Sequence, residues 1–199
     1  MRSLPLLVFA AAAATASLQR RQDNSITIDS TTPSGSLCSS NTFSVSVSPD
    51  GNVVTLGFSE YTLGTPVGLT RGNCNIDLSL VYPPGCTMAL MNIVIHGFFE
   101  GSENLTTYMD VAVSLSTGRE LTGSEVFRNQ GPTPGYFARR YPMDASISVN
   151  EGEPAEYTLS ISLDAQIESI DEIGGSFTMD DITISFDTSL RDPDGQYCV

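Results

Sequence analysis

Residues 42–61 read TFSVSVSPDGNVVTLGFSEY. In the first half, Phe43, Val45 and Val47 alternate with serines, which is the pattern of a strand that buries one face. The segment Pro49-Asp50-Gly51-Asn52 then predicts a tight hairpin turn, because Asp-Gly tolerates the positive φ that such turns need. We therefore expect a strand, a turn and a returning strand.

The same alternation continues along the chain and predicts further strands. The clearest case runs from Tyr157 to Ile167, with an apolar residue at every second position. The segment 88–99 is apolar on both faces, as expected of a central strand. Strands are predicted over 42–48, 53–61, 76–82, 88–99, 108–116, 145–149, 157–168 and 177–187. This pattern predicts an all-β fold, an antiparallel β-sandwich with immunoglobulin-like or jelly-roll connections.

The N-terminus carries the pattern of an export signal. An arginine precedes an apolar stretch that ends in Ala14-Thr15-Ala16, the small-x-small pattern of a signal cleavage site. We therefore predict a signal peptide over residues 1–16, an exposed lead-in over 17–37 and a single β-sandwich domain over 38–199. The expected localisation is secreted, either extracellular or in the cell wall.

The lead-in has two features of its own. Arg20-Arg21 resembles a dibasic processing site, and a pair of solvated arginines is the alternative interpretation. The residues that follow are rich in Ser, Thr, Asp and Pro, which suits an exposed segment better than a packed element. Ile26 and Ile28 leave a short edge strand open as an alternative.

The chain is strongly acidic, with 23 Asp and Glu residues, no lysine and a formal net charge of −14. Nucleic-acid binding depends on cationic side chains that neutralise phosphates. The composition therefore excludes a nucleic-acid partner. The longest apolar run after the leader, residues 88–95, is interrupted by Asn92 and is too short for a membrane span.

Four cysteines, Cys38, Cys74, Cys86 and Cys198, permit three pairings. The predicted hairpin returns the chain to the end of the sandwich at which Cys38 lies, close to Cys74. The strand between Cys74 and Cys86 separates them by roughly 26 Å, whereas a disulfide needs Cα atoms within about 7 Å. We predict the bridges Cys38–Cys74 and Cys86–Cys198. No metal or cofactor is expected, because a zinc site would need C-x-x-C spacing or more histidines.

His96 is the only histidine of the chain, so a Ser-His-Asp or Cys-His arrangement would have to use it. It lies in the middle of the predicted strand 88–99. Our interpretation is a structural imidazole that forms a hydrogen bond within the sheet.

Acidic residues offer two further candidate sites. Asp180 with Asp181, or Glu168 with Asp171 and Glu172, resembles the carboxylate pair of a glycan hydrolase. Adjacent residues such as Asp180 and Asp181 should point to opposite faces of a strand, and we interpret these acids as solvated charges. Separately, 192–195 (DPDG) resembles a fragment of a calcium loop without its remaining ligands, and our interpretation is a plain turn.

The segment 123–144 is rich in Gly and Pro and predicts a long loop, which in a compact domain is commonly functional. It contains the candidate binding residues Tyr136, Phe137, Arg139, Arg140 and Tyr141. Exposed aromatic rings stack on sugars and arginines bind carboxylates, so a polysaccharide or an acidic partner fits this segment. In the alternative interpretation, the first two aromatic rings plug the edge of the sandwich while the arginines neutralise neighbouring acids.

Asn104-Leu105-Thr106 is the only N-glycosylation sequon. It falls in the predicted turn after strand 88–99. Exposure in a turn, together with export, predicts that Asn104 is glycosylated.

Three stretches resemble a known family: 45–51 (VSVSPDG), 71–74 (RGNC) and 78–85 (LSLVYPPG). Together they are similar to a secreted, mainly fungal family described as domain of unknown function 4360. The resemblance covers most of the chain after the leader and is strongest over 38–99. It implies a small exported β domain with no established activity and no catalytic residue to assign.

The resemblance also concerns the cysteines. It implies a bridge between the first two, in agreement with Cys38–Cys74. Where this chain has Cys86 the family usually carries an aromatic residue, and the later cysteine of the family, near Met143, is absent here. A Cys86–Cys198 bridge would therefore be a rerouted form of the family's second pair.

The functional hypothesis is a secreted, non-catalytic β-sandwich that binds cell-wall polysaccharide or an extracellular partner. One alternative is a glycan hydrolase that uses two carboxylates. Another is a secreted effector or inhibitor that binds a host protein, which would expose an apolar patch.

Overall fold

The computed structural model describes residues 26–64, 68–82, 84, 87–100, 105–128, 135–148, 155–169 and 175–187. Regular secondary structure in these ranges consists entirely of strands that pair in two antiparallel sheets. The strands are β1 (Thr27–Ser34), β2 (Phe43–Val47), β3 (Val53–Phe58), β4 (Thr62–Gly64), β5 (Arg71–Tyr82), β6 (Thr87–Glu100), β7 (Leu105–Leu115), β8 (Arg119–Arg128), β9 (Gly135–Ser148), β10 (Ala155–Ser169) and β11 (Ser176–Asp187). The predicted all-β antiparallel sandwich is confirmed. These ranges hold no helix with the length and apolar character of a membrane span.

The order of the strands distinguishes between the immunoglobulin-like and the jelly-roll connections that were predicted. One sheet has the order β1-β5-β10-β7-β8 and the other β2-β3-β11-β6-β9, with β4 also paired to β11. From β5 onward the chain changes sheet at every connection except that between β7 and β8, and the last strand returns beside β3. This is the double Greek-key order of a jelly roll. Strands β1 and β2 extend the two sheets at one side.

The core lies between the two sheets and follows the predicted alternation. In β10 the inward residues, from Leu159 to Ile167 at every second position, are buried, and the residues between them face outward. Complete burial of a leucine or isoleucine side chain stabilises the fold by about 1.5 to 3 kcal/mol. A slip of one residue would turn these side chains to solvent, so the hydrophobic pattern also specifies the register.

Strand β1 differs from the predicted exposed lead-in. It pairs with β5 along the edge of the sheet, and Ile26 just before it is buried. The edge strand suggested by Ile26 and Ile28 is therefore present and extends to Ser34. An edge position explains the composition, because one side of the strand stays unpaired and a residue such as Pro33 is tolerated there.

The long loop predicted over 123–144 is wrong, since β8 and β9 occupy most of this segment. Two of its glycines, Gly123 and Gly135, lie under aromatic rings from other strands. The ring of Tyr141 covers Gly123 and that of Phe99 covers Gly135, so that a Cβ at either glycine would collide with the ring. The rings fill the space of the missing side chains, which stabilises strands that their own composition does not indicate.

The predicted Cys38–Cys74 bridge is confirmed, with the two Cα atoms 5.3 Å apart. It joins the turn that follows β1 to the start of β5, and both side chains are buried. The other predicted pair, Cys86–Cys198, lies outside the described residues and stays a prediction.

Three buried tyrosines make the fold sensitive to alkaline pH. Burial raises the pKa of Tyr61 and Tyr82 well above the usual value. It also raises that of Tyr141 to about 12, to which the charge of Glu125 contributes. In the unfolded chain these phenols would ionise near pH 10. The stability from their neutral forms is therefore fully present below about pH 10 and is lost as the pH rises through the folded pKa values.

We expect the free energy of unfolding to fall steeply above about pH 10. A titration followed by tyrosine absorbance should show the phenols of Tyr61, Tyr82 and Tyr141 ionising only as the chain unfolds. Circular dichroism on the same samples identifies the unfolding stage. A single ionisation step near pH 10 in a chain that retains its native circular dichroism would contradict the prediction.

Candidate functional site

Strand β9 divides the predicted binding segment between its two faces. Tyr136 and Arg140 point outward and are exposed, whereas Phe137 and Tyr141 point inward and are buried. Arg139 also belongs to the inward set and is half-buried. The five residues therefore do not form one surface.

The inward residues Phe137 and Arg139 agree with the alternative interpretation, in which an aromatic ring plugs the edge of the sandwich and an arginine neutralises a neighbouring acid. The ring centroid of Phe137 lies 4.4 Å from that of Phe127 on β8 and 5.3 Å from that of Phe177 on β11. Arg139 Nε is 3.2 Å from Glu125 Oε2, and its guanidinium lies over the ring of Phe127. These contacts close the side of the sandwich at which β8 meets β9.

The outward aromatic residue, Tyr136, sits against a second ring on the neighbouring strand. It is 83% exposed, and its ring centroid is 5.0 Å from that of Phe98 on β6. Phe98 is opposite Tyr136 on one side and Thr178 of β11 on the other, so its backbone is paired on both sides. The two rings thus form an apolar surface on a rigid part of the sheet.

His96 lies on the same outer face and forms a hydrogen bond across the sheet. Its Nδ1 is 2.7 Å from Asp181 Oδ1, which also accepts a hydrogen bond from Thr183 Oγ1 at 3.2 Å. Since a carboxylate oxygen accepts, Nδ1 carries the proton and Nε2 is the acceptor of the neutral ring. Nε2 has no hydrogen-bond partner within the described ranges, and the His96 side chain is 39% exposed.

A β-bulge in β11 brings Asp181 to this position. Met179 is opposite Gly97 and Asp181 is opposite His96, which leaves Asp180 as the extra residue. Met179 and Ile182 both point inward, so both aspartates lie outside the core. The expectation that Asp180 and Asp181 point to opposite faces is therefore wrong, because a bulge interrupts the alternation.

Arg140 completes this surface. It is exposed, is opposite Val94, and makes no ion pair within the part of the chain that the structure describes. We call the surface the outer aromatic face and define it by Phe98, Tyr136, His96, Asp181 and Arg140. It combines an exposed ring pair, an imidazole held by a carboxylate and a guanidinium.

Sequence analysis missed part of this face. The alternation within 88–99 already places His96 and Phe98 on one side of a strand. Their partners Tyr136 and Asp181 lie on strands that are distant in sequence, and only the sheet order brings them together.

Other candidate residues do not contribute to the face. None of the carboxylates whose burial the structure describes is buried, and the described residues hold no group of three or more potential metal ligands. Glu168 lies on the opposite sheet. The glycosylation candidate Asn104, the acids Asp171 and Glu172 and the segment 192–195 lie outside the described residues.

Three solved β-sandwich structures are similar to this chain. The structure of TmCBM61 in complex with beta-1,4-galactotriose is 12% identical, with a TM-score of 0.26, and covers 80% of this chain and 88% of that chain. The C-terminal CBM6 of LamC, a laminarinase from Zobellia galactanivorans, is 15% identical, with a TM-score of 0.27, and covers 78% of this chain and 99% of that chain. The family 11 carbohydrate-binding module from Clostridium thermocellum in complex with beta-1,3-1,4-mixed-linked tetrasaccharide is 12% identical, with a TM-score of 0.26 and coverages of 80% and 86%.

At such identities and TM-scores the likeness assigns no function to this chain. No curated protein matches the sequence. The family model described as "Domain of unknown function (DUF4360)" matches residues 24–191, which include every described strand. The chain therefore belongs to the DUF4360 family, as the resemblance in its first strands predicted.

Proposed function

We propose that the protein is a secreted, non-catalytic glycan-binding module of the cell wall or outer surface, and that its outer aromatic face binds the glycan. The observation that carries this proposal is the exposure of Tyr136 against Phe98 on a regular strand. An aromatic side chain that is 83% exposed contributes little to the core. Its apolar ring is available to an external partner with both apolar and polar surfaces.

A sugar ring has both apolar and polar surfaces. Its C–H faces pack on an aromatic ring, while its hydroxyl groups need hydrogen-bond partners at the rim. Around the ring pair, Thr178, His96 and Arg140 supply hydroxyl, imidazole and guanidinium groups on the same face. A few polar groups around an apolar surface are the usual composition of a ligand site.

The rigidity of the face supports binding without rearrangement. Tyr136 and Phe98 belong to two hydrogen-bonded strands at the side of the sheet that is closed against β8. Groups held in place before binding lose less conformational entropy when the ligand arrives. The buried Cys38–Cys74 bridge agrees with an oxidising, extracellular compartment.

Replacement of Tyr136 by alanine is expected to weaken glycan binding by about tenfold, because the ring supplies most of the exposed stacking surface. Affinity gel electrophoresis against a panel of cell-wall polysaccharides measures the change. Tyr108→Ala is the matched control, since Tyr108 is also exposed but lies on β7 of the other sheet.

The comparison has clear outcomes. Loss of retention in Tyr136→Ala with unchanged retention in Tyr108→Ala supports the proposal. Wild-type protein that no polysaccharide retards would overturn it, as would equal retention of wild type and both variants.

A further inference from the structure

The arginines of the described ranges differ in their partners. Arg71 is bound to Asp164 and Arg139 to Glu125. Arg119, Arg128 and Arg140 have no such partner within those ranges, and of these three Arg140 lies on the outer aromatic face. On β9, Arg140 pairs with Val94 of β6, and Val94 in turn pairs with Thr183 of β11. The neighbours of Arg140 across the sheet are therefore uncharged.

Two acids on this face, Asp180 and Asp181, belong to β11, which β6 separates from Arg140. Asp181 accepts hydrogen bonds from His96 and Thr183. Within the described ranges, the exposed guanidinium of Arg140 therefore presents its planar set of donors without an ion-pair partner. A carboxylate is the group that matches this donor geometry through two parallel hydrogen bonds.

The spacing along β9 connects Arg140 to the aromatic surface. Tyr136, Ala138 and Arg140 all point outward, so Tyr136 and Arg140 are about 13 Å apart along the strand. The small side chain of Ala138 between them lies opposite His96. Along this face the exposed imidazole therefore lies between the ring pair and the guanidinium.

We propose that the glycan bound on the outer aromatic face is acidic, and that Arg140 binds a uronic-acid carboxylate of this glycan one or two sugars away from the ring stacked on Tyr136. The inference rests on the proposed glycan-binding function. Tyr136 provides affinity for sugar rings in general, whereas Arg140 selects the charged form. His96 accepts a sugar hydroxyl at Nε2, and Asp181 is its positioning residue through Nδ1.

Because the chain as a whole is acidic, selection of an acidic glycan depends on direct contact with Arg140 and not on long-range attraction. At a formal charge of −14 the protein as a whole repels an anionic polymer. At an ionic strength of about 0.15 M that repulsion is screened beyond roughly 8 Å, while a direct contact with Arg140 persists. Binding should therefore be measured at this ionic strength.

The test uses two probes with the same sugar backbone, oligogalacturonate and its uncharged methyl ester, titrated into the full-length protein by calorimetry. The wild type should bind the acidic form about tenfold more tightly than the ester. Arg140→Gln should reduce this preference to less than about twofold. Arg119→Gln, an equal loss of charge at the start of β8 on the other sheet, should leave the preference unchanged.

Other results separate this inference from the proposed function. Equal affinity for both probes, or a preference that survives Arg140→Gln, overturns the role of the carboxylate, while loss of both affinities in Tyr136→Ala still supports glycan binding. Binding of neutral polysaccharides with no affinity for oligogalacturonate also overturns the acidic ligand. If the wild type binds no glycan of either kind, the proposed function itself fails.

Discussion

Replacement of Phe137 by alanine is expected to lower the free energy of unfolding by about 3 to 5 kcal/mol. The ring of Phe137 stacks on Phe177 and contacts Phe127, and these three rings link the two sheets where β8 meets β9. It also covers Gly97, where a Cβ would collide with it. Truncation would therefore leave a cavity and uncover a glycine in a central strand. Chemical denaturation followed by circular dichroism measures the loss.

The neighbouring residue provides the matched control. Tyr136→Ala removes a ring of similar size from the same strand, but Tyr136 is exposed. Its loss should cost about 1 kcal/mol or less, the contribution of one cross-strand pair. Similar losses in Tyr136→Ala and Phe137→Ala would contradict the inward and outward assignment of the two rings and the strand itself.

Strand β10 is predicted correctly because its two faces differ in composition. In β10 apolar and polar residues alternate without interruption from Tyr157 to Ile167, and a burial pattern of period two leaves only one orientation. The turn at Gly51, where φ is 69°, is equally local, because its left-handed conformation favours glycine. Local signals of this kind require no knowledge of the partner strand.

Strand β9 shows why the segment 123–144 was wrongly predicted to be a long loop. Its inward series contains Arg139 between Phe137 and Tyr141, which interrupts the hydrophobic alternation. The interruption is tolerated because Glu125 neutralises the guanidinium and Phe127 lies beneath it. Both partners belong to another strand, so the compensation is visible only in the folded chain.

The outer aromatic face was predicted only in part from the sequence. Sequence analysis identified Tyr136 and Arg140 from their residue types, but it grouped them with inward neighbours. The contact of His96 with Asp181 depends on the bulge at Asp180, which exchanges the side to which the following residues point. No composition signal at Asp180 and Asp181 distinguishes a bulge from a regular strand, so this part of the site needed the structure.

Removal of the Cys38–Cys74 bridge in the double variant Cys38→Ala, Cys74→Ala is expected to lower the free energy of unfolding by about 4 kcal/mol. The cysteines are 36 positions apart, and the loss of chain entropy that a loop of this length imposes on the unfolded state has this size. The folded turn should persist, since Leu37 N donates to Asn73 O at 3.0 Å and the Leu37 side chain packs on Gly72. Urea denaturation measures both the stability and its dependence on urea concentration.

The dependence of stability on urea concentration distinguishes the loss of a cross-link, which acts on the unfolded chain, from a packing defect in the folded one. An unfolded chain without the bridge is more extended and exposes more surface, so the m-value should rise in the double variant, whereas it should stay unchanged in Phe137→Ala. Replacing Cys86 and Cys198 by serine in every protein compared restricts the effect of a reducing agent to the Cys38–Cys74 bridge. In that background, reduction should reproduce the loss when Cys38 and Cys74 are present and have no effect when they are alanine. Stabilities that agree within about 1 kcal/mol with and without reductant would show that the bridge follows the fold without stabilising it.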